Sequence, residues 1–293
     1  MFLFLCLFAV GGVLYLAWRS SDLVLTGQRD PLTSTPRTFG LAYKDEQFTT
    51  EDGVTLRAWY LPASKPSDTV LVICHGWGGN RSNMIERTHF LRSRGDYSLF
   101  YFDFRNHGES SAGRGSLSRD EIGDLTATLR HLRAVHPTES SRIGFYGQSL
   151  GASIGLWVAA HDPSLAAVAA ESPFSEFNGA VTRHGTLFYH APRLFSRLTL
   201  WFIRWRLGFD PNDYAPLKIV HRIAPRPLFL LQGESDGRTP PTEGQRLFDR
   251  AGEPKTLWTV PGAGHGQLAE VGGRDYQNKI LAFFNRAFHR TSP

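Results

Sequence analysis

Between residues 69 and 262 the chain alternates short, unbroken apolar runs with longer stretches of mixed polarity. The runs are TVLVICH (69–75), SLFYFDF (98–104), RIGFYG (142–147), LAAVAAES (165–172), PLFLLQG (227–233) and TLWTVPG (256–262). A strand that is apolar at nearly every position has no face to offer water. These runs therefore predict a mostly parallel sheet covered by helices, an α/β fold. One covering helix is spelled out residue by residue. Ser118 and Glu121 form a capping box, Ile122, Leu125, Leu129, Leu132 and Val135 fall on one face, and Pro137 stops the helix. Upstream, EQFTTEDGVTLRAWYLP reads as two alternating strands joined at Glu51-Asp52-Gly53, a hairpin signal.

Two segments break this pattern. Residues 173–217 separate two strands by far more than a usual connection, which predicts a helical lid over the carboxyl edge of the sheet. That segment carries Arg183, Arg193, Arg197, Arg204 and Arg206, with no acid between Asn178 and Phe209. Leu194, Leu198, Trp201 and Trp205 recur at helical spacing beside Arg193, Arg197 and Arg204. Such a helix can lie on an anionic membrane. The expectation adopted is that its apolar stripe packs on the body of the protein and its arginines are solvated.

The second segment is the leader. Residues 1–18, MFLFLCLFAVGGVLYLAW, carry no charged side chain, and as a helix they span ~27 Å, enough for a bilayer core. A cleavable signal peptide has a basic start and a small-residue cleavage site. Neither is present, so an uncleaved single-pass anchor is the expectation and a signal sequence the alternative. Arg19, Arg29 and Arg37 follow the span and nothing basic precedes it, which places the globular part on the cytoplasmic side, with an exported domain as the alternative. Residues 19–40, rich in Ser, Thr, Gly and Pro, read as a linker, leaving 41–290 as one globular domain.

Composition narrows the function. The 293 residues are 41% hydrophobic and 20% charged, ordinary for a chain with one sizeable core. The net charge of +5 comes with no nucleic-acid recognition motif and no long basic run, so no nucleic-acid partner is expected. Two cysteines, Cys6 and Cys74, make neither a disulfide framework nor a thiolate site, and the histidines lack metal-ligand spacing. No metal and no cofactor is expected.

The candidate chemistry centres on RIGFYGQSLGASIGLWVAAH (142–161), where Ser149 lies between Gly147 and Gly151 as strand becomes helix. G-x-S-x-G in that setting is a nucleophile elbow, with the serine held in a strained turn above a parallel sheet. A serine hydroxyl needs a base. His265 in VPGAGHGQL follows a strand amid small neighbours that leave its ring unobstructed. The imidazole needs an acid to hold its tautomer. Asp236 in LFLLQGESDGRTPP is the candidate, and Glu171, ending the preceding strand, is its rival. The order Ser149, Asp236, His265 is the one an α/β-hydrolase uses. Backbone amides of Leu150, after the nucleophile, and Trp77, in CHGWGGN, are the candidate oxyanion donors. His75 and Asp103 read as turn residues.

HGWGGNRSN, DFRNHGES, GQSLG, ESPF, GESDGRTPP and GAGHG occur here in one order. With them the chain resembles an α/β-hydrolase of the serine aminopeptidase-like and acyl-lipase/esterase-like group, over about residues 42–290. Two places depart from the usual pattern of that group. Asn106-His107 stands where many members carry Gly-x after the arginine, a change assigned to a turn. Gly237-Arg238-Thr239 is more polar than usual beside the acid.

The resemblance implies a serine hydrolase; the apolar leader makes a membrane-anchored one the expectation, and the apolar, aromatic lid favours an acyl or aryl ester of modest size. Aminopeptidase chemistry is the enzymatic alternative. It requires an acidic group for the substrate amine, and Glu171, Glu176 and Asp210 are the candidates near the lid. A non-catalytic binding protein on the same fold is the third reading.

Overall fold

The computed structural model describes residues 2–26, 29–113 and 115–289. Each of the six apolar runs is a strand, and the two alternating segments upstream pair as a hairpin. In chain order the strands are β1 (Lys44–Thr49), β2 (Thr55–Leu61), β3 (Thr69–Cys74), β4 (Ser98–Phe102), β5 (Arg142–Gln148), β6 (Leu165–Glu171), β7 (Leu228–Gly233) and β8 (Lys255–Val260). They form one sheet in the order β1-β2-β4-β3-β5-β6-β7-β8, antiparallel at β1/β2 and β2/β4 and parallel throughout the rest.

The helices are α1 (Phe2–Thr26), α2 (Arg81–Thr88), α3 (Phe90–Ser93), α4 (Arg119–Val135), α5 (Leu150–His161), α6 (Phe177–Tyr189), α7 (Arg193–Leu207), α8 (Pro216–Ile219), α9 (Pro241–Arg250) and α10 (Leu268–Ala287). Alternation along β3 divides the core. Val70, Val72 and Cys74 pack on one side with Leu125 and Leu129 of α4, Ile154 of α5 and Leu247 of α9. Leu71 and Ile73 pack on the other with Met84 of α2, Phe90 of α3 and Ile280 and Phe284 of α10. α4 carries the capping box expected of Ser118 and Glu121, and its Leu125, Leu129 and Leu132 are buried. This is an α/β-hydrolase fold. Cys74 is a free thiol within the core, and the Cys6 side chain lies outside the described residues.

Three expectations need correction. The leader helix does not end at residue 18 but continues to Thr26, and Ala17, Ser21 and Leu25 form a buried stripe on it. The second is the linker, whose described part after α1 lies against the body rather than in water. The Thr33 amide donates to Ser82 Oγ at 3.1 Å, Asn80 Nδ2 donates to the Pro31 carbonyl at 3.2 Å, and Leu32 and Phe39 join the core side of α2. Its polar residues find partners on the protein surface, so the segment does not act as a spacer.

The third correction concerns α7. Its apolar stripe does not pack on the body: Leu194, Trp201 and Trp205 are 68%, 56% and 67% exposed. The buried face is Ser196, Thr199, Leu200 and Ile203. Small residues there allow close approach of α6 and α1, and Leu200 and Ile203 pack with Leu25 and Phe177. The helix is therefore oriented by the fit of its small face, with its large apolar residues outside.

Candidate active site

The turn from β5 to α5 is made by one residue. Ser149 has φ 53° and ψ −114°, a positive-φ conformation that a side chain adopts at a cost of roughly 1–3 kcal/mol. Its flanking glycines are required by contact. A Cβ on Gly147 would stand 2.8 Å from the Ala152 nitrogen, and one on Gly151 2.4 Å from the His75 carbonyl oxygen. The Ser149 amide donates to the Glu171 carbonyl at 2.8 Å, which pins the elbow to the end of β6.

The loops after β7 and β8 are tied together at the same edge. The Glu234 amide donates to the Val260 carbonyl at 3.0 Å and the Ser235 amide to the Ala263 carbonyl at 2.9 Å. This brings Asp236 and His265 to the elbow. His265 Nε2 lies 3.1 Å from Ser149 Oγ, and Nδ1 lies 2.8 Å from Asp236 Oδ2. Asp236 is 2% exposed, and its Oδ1 accepts the Arg238 and Thr239 amides at 2.9 and 2.8 Å. Burial pushes this carboxyl up, but the hydrogen bond and charge of His265, with the Thr239 donors, outweigh it and hold its pKa below the ordinary value. An ionised carboxylate only accepts, so Nδ1 carries the imidazole proton and Nε2 is left to accept from the Ser149 hydroxyl. Thr239, which the sequence marks only as part of a polar stretch, braces the acid. Its hydroxyl donates to Asp236 Oδ2 at 2.8 Å, and its place three residues after an aspartate is an Asx-type turn signal that was legible.

The HGWGG loop between β3 and α2 is held from both sides. His75 Nδ1 donates to the Gly76 carbonyl at 2.8 Å, and Nε2 accepts the Phe104 amide at 3.0 Å. Burial, with His107 nearby, pulls the His75 pKa well down, so this ring is neutral and fully bonded. That matches its reading as a turn residue. His107 has more than a turn role. Its Nε2 accepts the Gly78 amide at 3.1 Å while Nδ1 donates to the Arg105 carbonyl at 2.8 Å. Between the bonded Gly76 and Gly78, the Trp77 amide has no hydrogen-bond partner among the described residues. The Leu150 amide opens α5, where first-turn N–H groups lack intrahelical acceptors. Asp103 is buried and accepts the Arg81 amide at 2.7 Å and its guanidinium, securing the turn after β4.

Glu171 is placed away from both roles considered for it. Its carboxylate is fully buried, accepting from Arg87 and from the Tyr146 and Tyr276 hydroxyls, the last at 2.9 Å. It neither meets His265 nor joins the helical insertion, because its side chain points to the α2/α10 side of the sheet. Arg87 in turn donates to the Gly266 carbonyl at 2.8 Å, beside His265. No spacing in the sequence connects Arg87 to that loop.

Above Ser149 is a cavity of about 360 Å³ walled by Trp77, Phe174, Phe177, Val181 and His184, with Val24 of α1. The Trp77 indole donates to the Val24 carbonyl at 3.2 Å. Arg238 also lines it, its guanidinium 4.4 Å from the centre of the Phe188 ring. Among the described residues no carboxylate lines this cavity. Glu176 pairs with Arg246 at 3.0 Å and Asp210 with Arg204 at 2.9 Å.

Known proteins share this fold. An uncharacterized protein of Mycobacterium tuberculosis is 31% identical over 83% of this chain and 79% of its own. The alpha/beta hydrolase domain-containing protein WAV2 of Arabidopsis thaliana is 25% identical over 90% of this chain and 85% of its own. Among solved structures, the Pyrococcus furiosus esterase Pf2001 superposes with a TM-score of 0.75 at 26% identity, over 89% of this chain and 97% of the esterase. A sequence profile of the prolyl oligopeptidase family matches residues 88–291, and the chain belongs to that family of α/β-hydrolases.

Proposed function

We propose that this hydrolase is a serine esterase that cleaves carboxylic esters through an acyl-enzyme. The observation that carries the reading is the relay from Ser149 through His265 to Asp236 beneath an apolar cavity. Ser149 Oγ attacks the acyl carbonyl and its proton passes to His265 Nε2. The carbonyl oxygen becomes an oxyanion, received by the Leu150 and Trp77 amides. Asp236 holds the imidazole in the required tautomer and stabilises the imidazolium, which then protonates the leaving alkoxide. Water, deprotonated by the same imidazole, releases the acid and regenerates Ser149.

An ester fits better than the free amine of an aminopeptidase substrate. The ammonium needs a carboxylate partner, and the cavity wall offers Arg238 instead. The helical insertion α6–α7 serves as the lid, because Phe177, Val181 and His184 of α6 wall the cavity. α1 anchors the protein in a membrane. It is long and apolar enough to cross one, its charge-free part ends at Trp18, and Phe4 and Phe8 are largely exposed. Arg19, Arg29 and Arg37 favour a catalytic domain on the cytoplasmic side. The test is a direct comparison of p-nitrophenyl esters with aminoacyl p-nitroanilides on the full chain. Turnover of the esters alone is expected, and preferential turnover of the anilides overturns the reading.

A further inference from the structure

The leader helix and the lid are one structural unit. Arg206 near the end of α7 donates from Nε to Ser21 Oγ at 2.8 Å and from Nη2 to the Trp18 carbonyl at 3.2 Å. Its guanidinium lies 4.5 Å from the centre of the Trp18 ring. Trp18 closes the uncharged stretch of α1, and Arg19 and Asp22 follow it. If α1 spans a bilayer, Trp18–Asp22 is where the apolar core gives way to headgroups, and α7 is fastened at that level.

The outward face of α7 suits that position. Leu194, Trp201 and Trp205 project from it, more than half of each exposed. Arg193 and Arg197 lie beside them, both exposed and without an acidic partner among the described residues. Indoles with interspersed arginines are what an interface between hydrocarbon and anionic headgroups accommodates: the rings enter the acyl boundary and the guanidinium groups meet phosphates. In water, this arrangement leaves Leu194, Trp201 and Trp205 with no apolar surface to cover them.

We propose that the outward face of α7 docks on the surface of an anionic bilayer, so that the cavity is served by esters dissolved in that bilayer. This rests on the anchor and esterase readings above and adds a second membrane contact to the first. It is carried by the continuity of the face with α1, by its unpaired cations, and by Val24. That residue lies one to two turns beyond Trp18 on α1 and forms part of the cavity wall. The same helix that enters the membrane therefore ends at the substrate site.

The full chain is reconstituted in phosphatidylglycerol vesicles whose acyl chains are brominated near the headgroups, and tryptophan emission is compared with that of a Trp201→Phe/Trp205→Phe variant. Docking predicts lipid quenching in the wild type that falls by more than half in the variant, whereas Trp18 is common to both. Arg193→Glu/Arg197→Glu should weaken docking by at least about 25-fold, about fivefold per arginine charge lost and more for the acids gained, and phosphatidylcholine vesicles should also weaken it. Equal quenching in wild type and the Phe variant overturns the proposal. So does protection of these tryptophans from aqueous acrylamide without lipid quenching, which would point to a second copy of the chain on this face. A kinetic arm separates this idea from the one beneath it. Arg193→Glu/Arg197→Glu should leave turnover of a water-soluble p-nitrophenyl ester unchanged and lower that of a long-chain ester presented in anionic vesicles. If the wild type hydrolyses neither, the esterase reading fails while the quenching experiment still decides the docking.

Discussion

Asp236→Asn changes a single oxygen to an amide nitrogen, and the surrounding donors dictate which one. Oδ1 accepts two backbone amides, from Arg238 at 2.9 Å and Thr239 at 2.8 Å. An NH₂ group placed there would face two donors, so asparagine must keep its oxygen at that position. Its nitrogen then occupies the site of Oδ2, facing Thr239 Oγ1 and His265 Nδ1, both at 2.8 Å in the wild type. There it donates to Nδ1, and the imidazole proton moves to Nε2. A protonated Nε2 opposite Ser149 Oγ cannot accept the serine proton. In the serine-protease triad this tautomer error lowers turnover by ~10⁴-fold, equivalent to about 5.5 kcal/mol of transition-state stabilisation. KM should change little, because Asp236 does not line the cavity. The assay is kcat and KM on p-nitrophenyl butyrate, with Tm measured in parallel to confirm folding. A folded Asp236→Asn enzyme within tenfold of wild-type kcat would refute the reasoning, as would a larger loss of kcat in folded Glu171→Gln.

Glu171→Gln leaves the Arg87 guanidinium, only 15% exposed, without its counter-charge; breaking such a pair costs about 3–5 kcal/mol, so Tm by calorimetry should fall on the order of 10 °C. Gly151→Ala would set a Cβ 2.4 Å from the His75 carbonyl and should lower the yield of folded enzyme and its labelling by a fluorophosphonate, read on a gel. Removal of residues 1–26 strips Val24 from the cavity and Leu25 from its packing with Phe177, Leu200 and Ile203; a loss of about 2 kcal/mol and a raised KM are expected, by denaturation and steady-state kinetics. Because the Asp236 pKa is depressed on folding, the folded state binds fewer protons than the unfolded chain. Its stabilising contribution is complete above the unfolded value near 4 and is lost as pH falls through the folded one; acid unfolding should be less steep in Asp236→Asn.

The parallel sheet was legible because its strands are buried on both faces, and a run such as TVLVIC admits few other environments. The elbow was legible for a related reason: only glycine fits at Gly147 and Gly151, so the backbone conformation leaves a mark on the sequence. The orientation of α7 was not. Its apolar stripe has helical period whether it faces a core or a membrane. The deciding fact is the small Ser196–Thr199 face opposite, which matters only once α1 and α6 are known to lie there. The buried cluster around Glu171 was equally hidden. Arg87, Tyr146 and Tyr276 are far apart in the chain and meet only through the sheet's register. The continuation of α1 past residue 18 was missed because Arg19 and Asp22 read as the start of a polar linker. In the structure they lie on the exposed or half-buried sides of a helix whose other side docks on α7.

Whether Ser149 is the nucleophile of a Ser-His-Asp relay is tested most directly by covalent labelling. The full-length protein should be incubated with a fluorophosphonate, digested, and the modified peptide identified by mass spectrometry. A single adduct on Ser149 is expected. Ser149→Ala should abolish labelling and ester turnover while Tm stays within a few degrees, since it removes only a half-buried hydroxyl and its hydrogen bond to His265. An adduct on any other serine, or labelling that persists in Ser149→Ala, would contradict that role.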